Sequence, residues 1–180
     1  MLLTFYGCTL LELQIRTAQP ADAGQILALI TELADYERAR HEVIASVEDI
    51  QRTLFADGGA AKALMCLRGE QVIGFAVYFF SYSTWLGQPG LYLEDLYITP
   101  QHRGSGAGRQ MLQYLAREAC AQGCGRFEWS VLDWNEPAIG FYQSIGAQPQ
   151  PEWVRYRMQG EVLTAFAEGR TVPAQCHSVS

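Results

Sequence analysis

Residues 91–132 constrain the fold more than any other part of the sequence. Leu91-Tyr92-Leu93-Glu94-Asp95-Leu96-Tyr97-Ile98 reads as a strand that stops at Thr99-Pro100, because proline cannot donate to a sheet ladder. Residues 101–108 are glycine-rich, and Met111, Leu112, Leu115 and Ala119 then recur at helical spacing as far as Gly123, a stop signal. Residues 126–132 are again strand-like. A strand, a helix of this length and a second strand make a βαβ unit, whose crossover is right-handed and whose strands are parallel. Its loop, Arg103-Gly104-Ser105-Gly106-Ala107-Gly108, lets successive backbone N–H groups turn toward one anion at a helix N-terminus. In form this is a phosphate site.

The flanking segments extend the pattern. Residues 11–16 alternate apolar and polar side chains as a half-buried strand does. Pro20 opens a helix in which Ile26, Leu29, Ile30 and Leu33 keep helical spacing to about Tyr36. Ser46-Val47-Glu48-Asp49 has the spacing of a capping box and starts a second helix through Phe55. Strands over 63–67 and 71–80 meet at Arg68-Gly69-Glu70 as a hairpin, and a loop follows over 81–90. Pro137 opens a short helix through Tyr142 that Gly146 ends, and 153–158 reads as a last strand. The order β-α-α-β-β-β-α-β-α-β predicts an α/β fold: a mixed sheet with helices on both faces.

Composition narrows the function. With 180 residues, 49% of them hydrophobic, the chain suits one domain with a sizeable core. Thirteen basic against nineteen acidic residues leave a net charge of −6, which argues against nucleic-acid or anionic-membrane partners and in favour of a cationic substrate. No apolar run approaches the ~18 residues of a membrane span. Residues 1–12 read as an N-terminal extension, since they lack a basic n-region and a cleavage pattern, and 169–180 as a frayed tail. Five scattered cysteines suggest reduced thiols in a cytoplasmic protein. Cys120 and Cys124 could share a metal, but no His or further Cys pair stands near, so two small buried hydrophobes are expected and no metal is.

The loop can be tested against familiar anion sites. A Walker loop needs Lys after its last glycine, and the only Lys here is Lys62. The dinucleotide fingerprint fails because Arg109 stands where its third glycine belongs. What fits is R-x-x-G-x-G, with Arg103, Gly106 and Gly108; three glycines making a tight turn would also fit. In this context the loop resembles the pyrophosphate loop of the GNAT superfamily of N-acetyltransferases. Ile15-Arg16, Glu32-Leu33-Ala34-Asp35-Tyr36-Glu37, Ile73-Gly74-Phe75-Ala76-Val77-Tyr78-Phe79-Phe80, Tyr92-Leu93-Glu94-Asp95 and Trp134-Asn135-Glu136-Pro137-Ala138-Ile139-Gly140-Phe141-Tyr142 resemble, in order, the diamine (polyamine and thialysine) acetyltransferases. The likeness covers residues 13–168 and departs from these relatives at Pro89-Gly90. It implies a GNAT-type domain over 13–168, mostly antiparallel, with a central parallel βαβ pair splayed around acetyl-CoA, and a homodimer to which 153–158 contributes.

Amide formation from a thioester needs a neutral amine, yet an alkylammonium of pKa ~10.4 is only about one part in two thousand neutral at pH 7. Glu94, mid-strand among apolar neighbours and beside Asp95, is the candidate to remove the proton through water; a carboxylate capping a backbone bulge is the alternative. One of the two acids should point into the core or a cleft.

The resemblance implies that Tyr142 protonates the CoA sulfur, although an aromatic following Phe141 also reads as core packing. It implies that Asn135 bonds the pantetheine arm, where a helix-entry cap is the other reading. It places Leu96, Tyr97 and Ile98 on the pantetheine through their backbone, as an added strand. Arg103, Gly104, Ser105, Gly106, Ala107, Gly108 and Arg109 then fall on the pyrophosphate, with Pro137 and Ala138 alongside the cofactor. Tyr36 and Glu37 match amine-contacting positions. With Glu94, Asp95, Tyr82 and Trp85 they would supply the acids and aromatics that a polycation needs, unless Tyr82 and Trp85 merely belong to a loop.

The activity expected is acetyl transfer from acetyl-CoA to a small diamine, polyamine or lysine-like amine. The alternatives are a protein N-terminal or lysine acetyltransferase, and a non-catalytic acyl-CoA sensor.

Overall fold

A computed structural model describes residues 12–170. The expected extension, apart from Glu12, and the tail beyond Arg170 lie outside the described residues, as do Cys8 and Cys176. The chain forms two compact units, one ending at Ser130 and the other beginning at Val131.

The first unit holds the sheet. Strand β1 (Leu13–Thr17) leads through a 3-10 turn at Pro20–Asp22 into helix α1 (Ala23–Tyr36). Arg16 fixes this entry: its Nη1 and Nη2 donate to the two carboxylate oxygens of Asp22 at 2.7 and 2.8 Å, while Asp22 also accepts from the Gln19 backbone N–H at 2.7 Å. Helix α2 (Val47–Leu54) starts at the expected capping box, with Ser46 Oγ accepting from Asp49 N and Asp49 Oδ2 accepting from Ser46 N, both at 3.1 Å.

Strands β2 (Lys62–Arg68) and β3 (Gln71–Ser83) form the expected hairpin, and Gly69 at φ +61° makes its turn. Strand β4 (Gln88–Ile98), helix α3 (Ala107–Ala121) and strand β5 (Arg126–Trp129) complete the unit.

The strand order is β1-β2-β3-β4-β5, antiparallel except for the β4–β5 pair. This is the mixed, mostly antiparallel sheet with one parallel βαβ pair that the sequence predicts. Helices cover both faces. Ala63, Met65 and Phe75 pack with Ile26, Leu29 and Ile50 of α1 and α2. The alternate residues Leu64 and Cys66 are also fully buried, and α3, which packs on β4, contributes Met111 and Leu115 to the core.

Three expectations change. The loop over 81–90 shrinks to the turn 84–87, because β3 and β4 pair as far as Ser83 and Gln88. Pro89 and Gly90 are therefore strand residues. Gly90 is closely packed there: a Cβ would lie 2.6 Å from Ser81 Oγ, and that side chain would have to move. The strand over 126–132 ends at Trp129. Cys120 is exposed and Cys124 half-buried, so they are not the two buried hydrophobes expected: Cys120 follows the last buried position of α3, Ala119, onto the outer side of the helix.

The second unit contains helix α4 (Glu136–Ser144) and helix α5 (Gly160–Ala167), the latter not anticipated from the sequence. Residues 153–158 form no strand. Among its described residues the unit contains no strand whose backbone could pair with them, and strand propensity alone does not satisfy a ladder.

Candidate active site

The centre of the site is an irregularity in β4. Val77 of β3 faces Asp95 and Tyr78 faces Leu93, so Glu94 is the extra residue of a β-bulge. The bulge leaves Glu94 exposed and Asp95 half-buried, which settles which of the two acids turns inward. Burial, then the charges of Glu94 and Glu37, push the Asp95 carboxyl up to about 6. Glu37, which caps the end of α1, is itself raised by burial. Three acids from two elements thus share one region.

Beyond the bulge, among the described residues, β4 is paired on one side only by the sheet ladder. Gly74, Phe75 and Ala76 of β3 face Ile98, Tyr97 and Leu96, whereas the β5 ladder covers only Gly90 to Leu93. Residues 94–98 therefore turn a main-chain edge toward the side that β5 has left. Gly74 permits the tight β3 pairing: a Cβ there would collide with the Tyr97 carbonyl oxygen.

This edge runs into the glycine loop. Gly104 (φ +74°) and Gly106 (φ +86°) adopt left-handed conformations, and Gly106 is the N-cap of α3 with no side chain capping it. A Cβ at Gly104, Gly106 or Gly108 would meet nothing within 4 Å. The glycines thus leave open space over a helix N-terminus, which is what an anion requires. Within the loop, Ser105 Oγ donates to the His102 carbonyl oxygen at 2.6 Å.

Tyr82 and Trp85 do not join the acids. Tyr82 pairs with Pro89 at the far end of the hairpin, about 17 Å along the strand from Glu94 at ~3.4 Å per residue. Both are exposed, at 62% and 87%. A cleft of about 560 Å³ lies elsewhere, between α1 and the end of β4, and is lined by Glu32, Asp35, Gln71 and Tyr97 among others.

In the second unit Asn135 is the N-cap of α4, and its Oδ1 accepts from the Ala138 N–H at 3.4 Å. Pro137 occupies the first turn. Tyr142 is half-buried, its ring 5.6 Å from that of Phe141.

The acetyltransferase (GNAT) family matches residues 26–147, two thirds of the chain. The chain belongs to this family. Thialysine N-epsilon-acetyltransferase of Mus musculus is 36% identical over 165 residues, covering 86% of this chain and 96% of its own length, and that of Bos taurus is 38% identical over 168 residues, covering 85% and 96%. L-ornithine N5-acetyltransferase of Arabidopsis thaliana is 36% identical over 126 residues, covering 70% of this chain and 52% of its own. Among solved structures, an integron cassette protein from V. cholerae superposes with a TM-score of 0.74 at 26% identity, covering 87% of this chain and 98% of its own. This GNAT protein is thus an N-acetyltransferase, of a family that uses acetyl-CoA. None of its helices among the described residues is long and apolar enough to cross a membrane.

Proposed function

We propose that the protein transfers an acetyl group from acetyl-CoA to a primary amine of a small diamine, polyamine or lysine-like substrate by direct attack. The observation that carries this reading is the continuity of β4: a bulge with clustered acids, then a main-chain edge, then an uncapped helix N-terminus under glycines. The names of the relatives, which specify thialysine and ornithine, support the substrate class.

Acetyl-CoA, when bound, supplies an activated acetyl thioester. Backbone groups of Leu96, Tyr97 and Ile98 would hold its pantetheine as an added strand holds a sheet edge. The backbone of residues 103–109 would hold its pyrophosphate. Asn135, Pro137 and Ala138 would line the coenzyme, and Tyr142 would keep a proton on Oη for the leaving sulfur. Glu94, exposed on the bulge, would draw the ammonium proton through water. Tyr36, Glu37 and Asp95 would receive the amine, with half-buried carboxylates favouring a second positive charge.

We also propose a homodimer in the cytoplasm, with the exposed residues Trp153, Val154 and Tyr156 contributing to the contact.

An acetyl-CoA consumption screen over free amines, read as CoA release, tests the activity. Diamines should outperform monoamines of equal length. Glu37→Gln should raise KM for the diamine more than for the monoamine. Equal efficiency toward both amines in the wild type, or equal weakening of both in the variant, would move the acceptor toward proteins.

A further inference from the structure

Arg103 begins the glycine loop, but its side chain turns back toward the sheet and α1. Its guanidinium carbon lies 4.6 Å from the centre of the Tyr36 ring and 5.4 Å from that of Tyr97. Its Nε donates to the Ile98 carbonyl oxygen at 3.0 Å. Tyr97 is buried, and its hydroxyl donates to Glu32 Oε2 at 3.2 Å, so the ring is fixed from α1 as well as from β4.

One planar cation at the start of the anion loop therefore meets two other segments, the last residue of α1 and the end of β4. Each has a functional neighbour. Tyr36 precedes Glu37, and Tyr97 lies two residues past Asp95, on the same side of the strand. A guanidinium stacked on aromatic faces is both attracted and oriented by them, so the contacts of Arg103 give the loop backbone a physical route toward Glu37 and Asp95.

We propose that Arg103, Tyr36 and Tyr97 form a clamp that couples the anion loop to the acid cluster, so that coenzyme and amine each raise the other's affinity. The clamp rests on the acetyl-CoA and amine assignment above. Coupling of this kind is reciprocal: the factor by which one ligand tightens the other is the same in both directions. In this role Arg103 and Tyr97 are positioning residues.

Calorimetry on the full chain tests the clamp, with CoA and 1,4-diaminobutane as probes, each titrated alone and in the presence of saturating amounts of the other. Wild type should show a coupling factor of at least ~5, equal in both directions. Tyr97→Leu should reduce it below about 2, whereas Tyr97→Phe, which keeps the ring that faces the guanidinium, should retain the wild-type factor. Arg103→Gln should lose coupling as Tyr97→Leu does, and it serves where the Leu variant fails to fold. Independent binding in wild type, or full coupling in Arg103→Gln or Tyr97→Leu, overturns the clamp. So does a Phe variant as uncoupled as the Leu variant. A wild-type protein that binds neither probe overturns the functional assignment itself, and the clamp with it.

Discussion

Asp95 and Asp22 are carboxylates displaced in opposite directions, and the difference sets how pH acts on the protein. The Arg16 guanidinium holds Asp22 below its ordinary value, so this ion pair stabilises the fold at neutral pH, and its contribution is lost as pH falls through the folded pKa. Asp95 is raised to about 6. Between the unfolded value near 3.8 and 6 the native state binds more protons at this site than the unfolded chain does, so stability declines as pH rises across that interval. Asp95→Asn should therefore stabilise the protein at pH 7 by on the order of 2 kcal/mol, seen as a Tm about 4 to 8 °C higher, and the gain should vanish toward pH ~4. Under the proposed function the same variant should lose activity, because a half-buried carboxylate that receives the amine would trade stability for function. An unchanged Tm at pH 7 would show that Asp95 carries no such strain. Tyr142→Phe removes one hydroxyl; it should keep CoA affinity and lose about 10² to 10⁴ in kcat, whereas a purely packing role leaves kcat nearly intact.

At the scale of elements, the junction of β4 and α3 is the most exacting. Gly106 at φ +86° sits where an L side chain is strained and where a bulky one would occupy the space over the helix N-terminus. Gly106→Leu should fold less stably and bind acetyl-CoA at least tenfold more weakly by calorimetry; unchanged affinity in a folded variant would remove the loop from the coenzyme site. The junction was legible because its signals are local: a proline stop, a glycine run and apolar residues at helical spacing. So was the capping box at Ser46. The strand ends were not legible, because pairing decides them. Residues 81–83 and 88–90 read as loop until their antiparallel register is known, and residues 153–158 read as strand although the described residues of their unit hold no partner strand. In the site, Glu94 and Asp95 are adjacent and chemically alike, and only the bulge, a property of two strands, decides which turns inward. The Arg103 side chain was legible as a cation but not in its aim, since Tyr36 and Tyr97 reach it through tertiary contact.

Over the whole molecule, a net charge of −6 favours the approach of cations at long range. Exposed charges are screened over about 8 Å at physiological ionic strength. Raising salt should therefore weaken the diamine preference less than Glu37→Gln does, because Glu37 is partly desolvated; a preference abolished by moderate salt would place the selectivity on the surface instead. Light scattering at micromolar concentration should give twice the chain mass, and a monomeric mass would contradict the dimer. The short β5 has a larger consequence. It stops opposite Leu93 while β4 continues to Ile98, so among the described residues the sheet is one strand short along half the length of β4, and under the proposed function the coenzyme arm would occupy that gap. Under this arrangement a metabolite completes the secondary structure, and the enzyme's hydrogen-exchange map becomes a gauge of its charging state. The outward amides of residues 94–98 should exchange rapidly in the free protein and slow on addition of CoA. Global stability should rise with the logarithm of CoA concentration, by about 2.7 kcal/mol at a hundredfold excess over Kd.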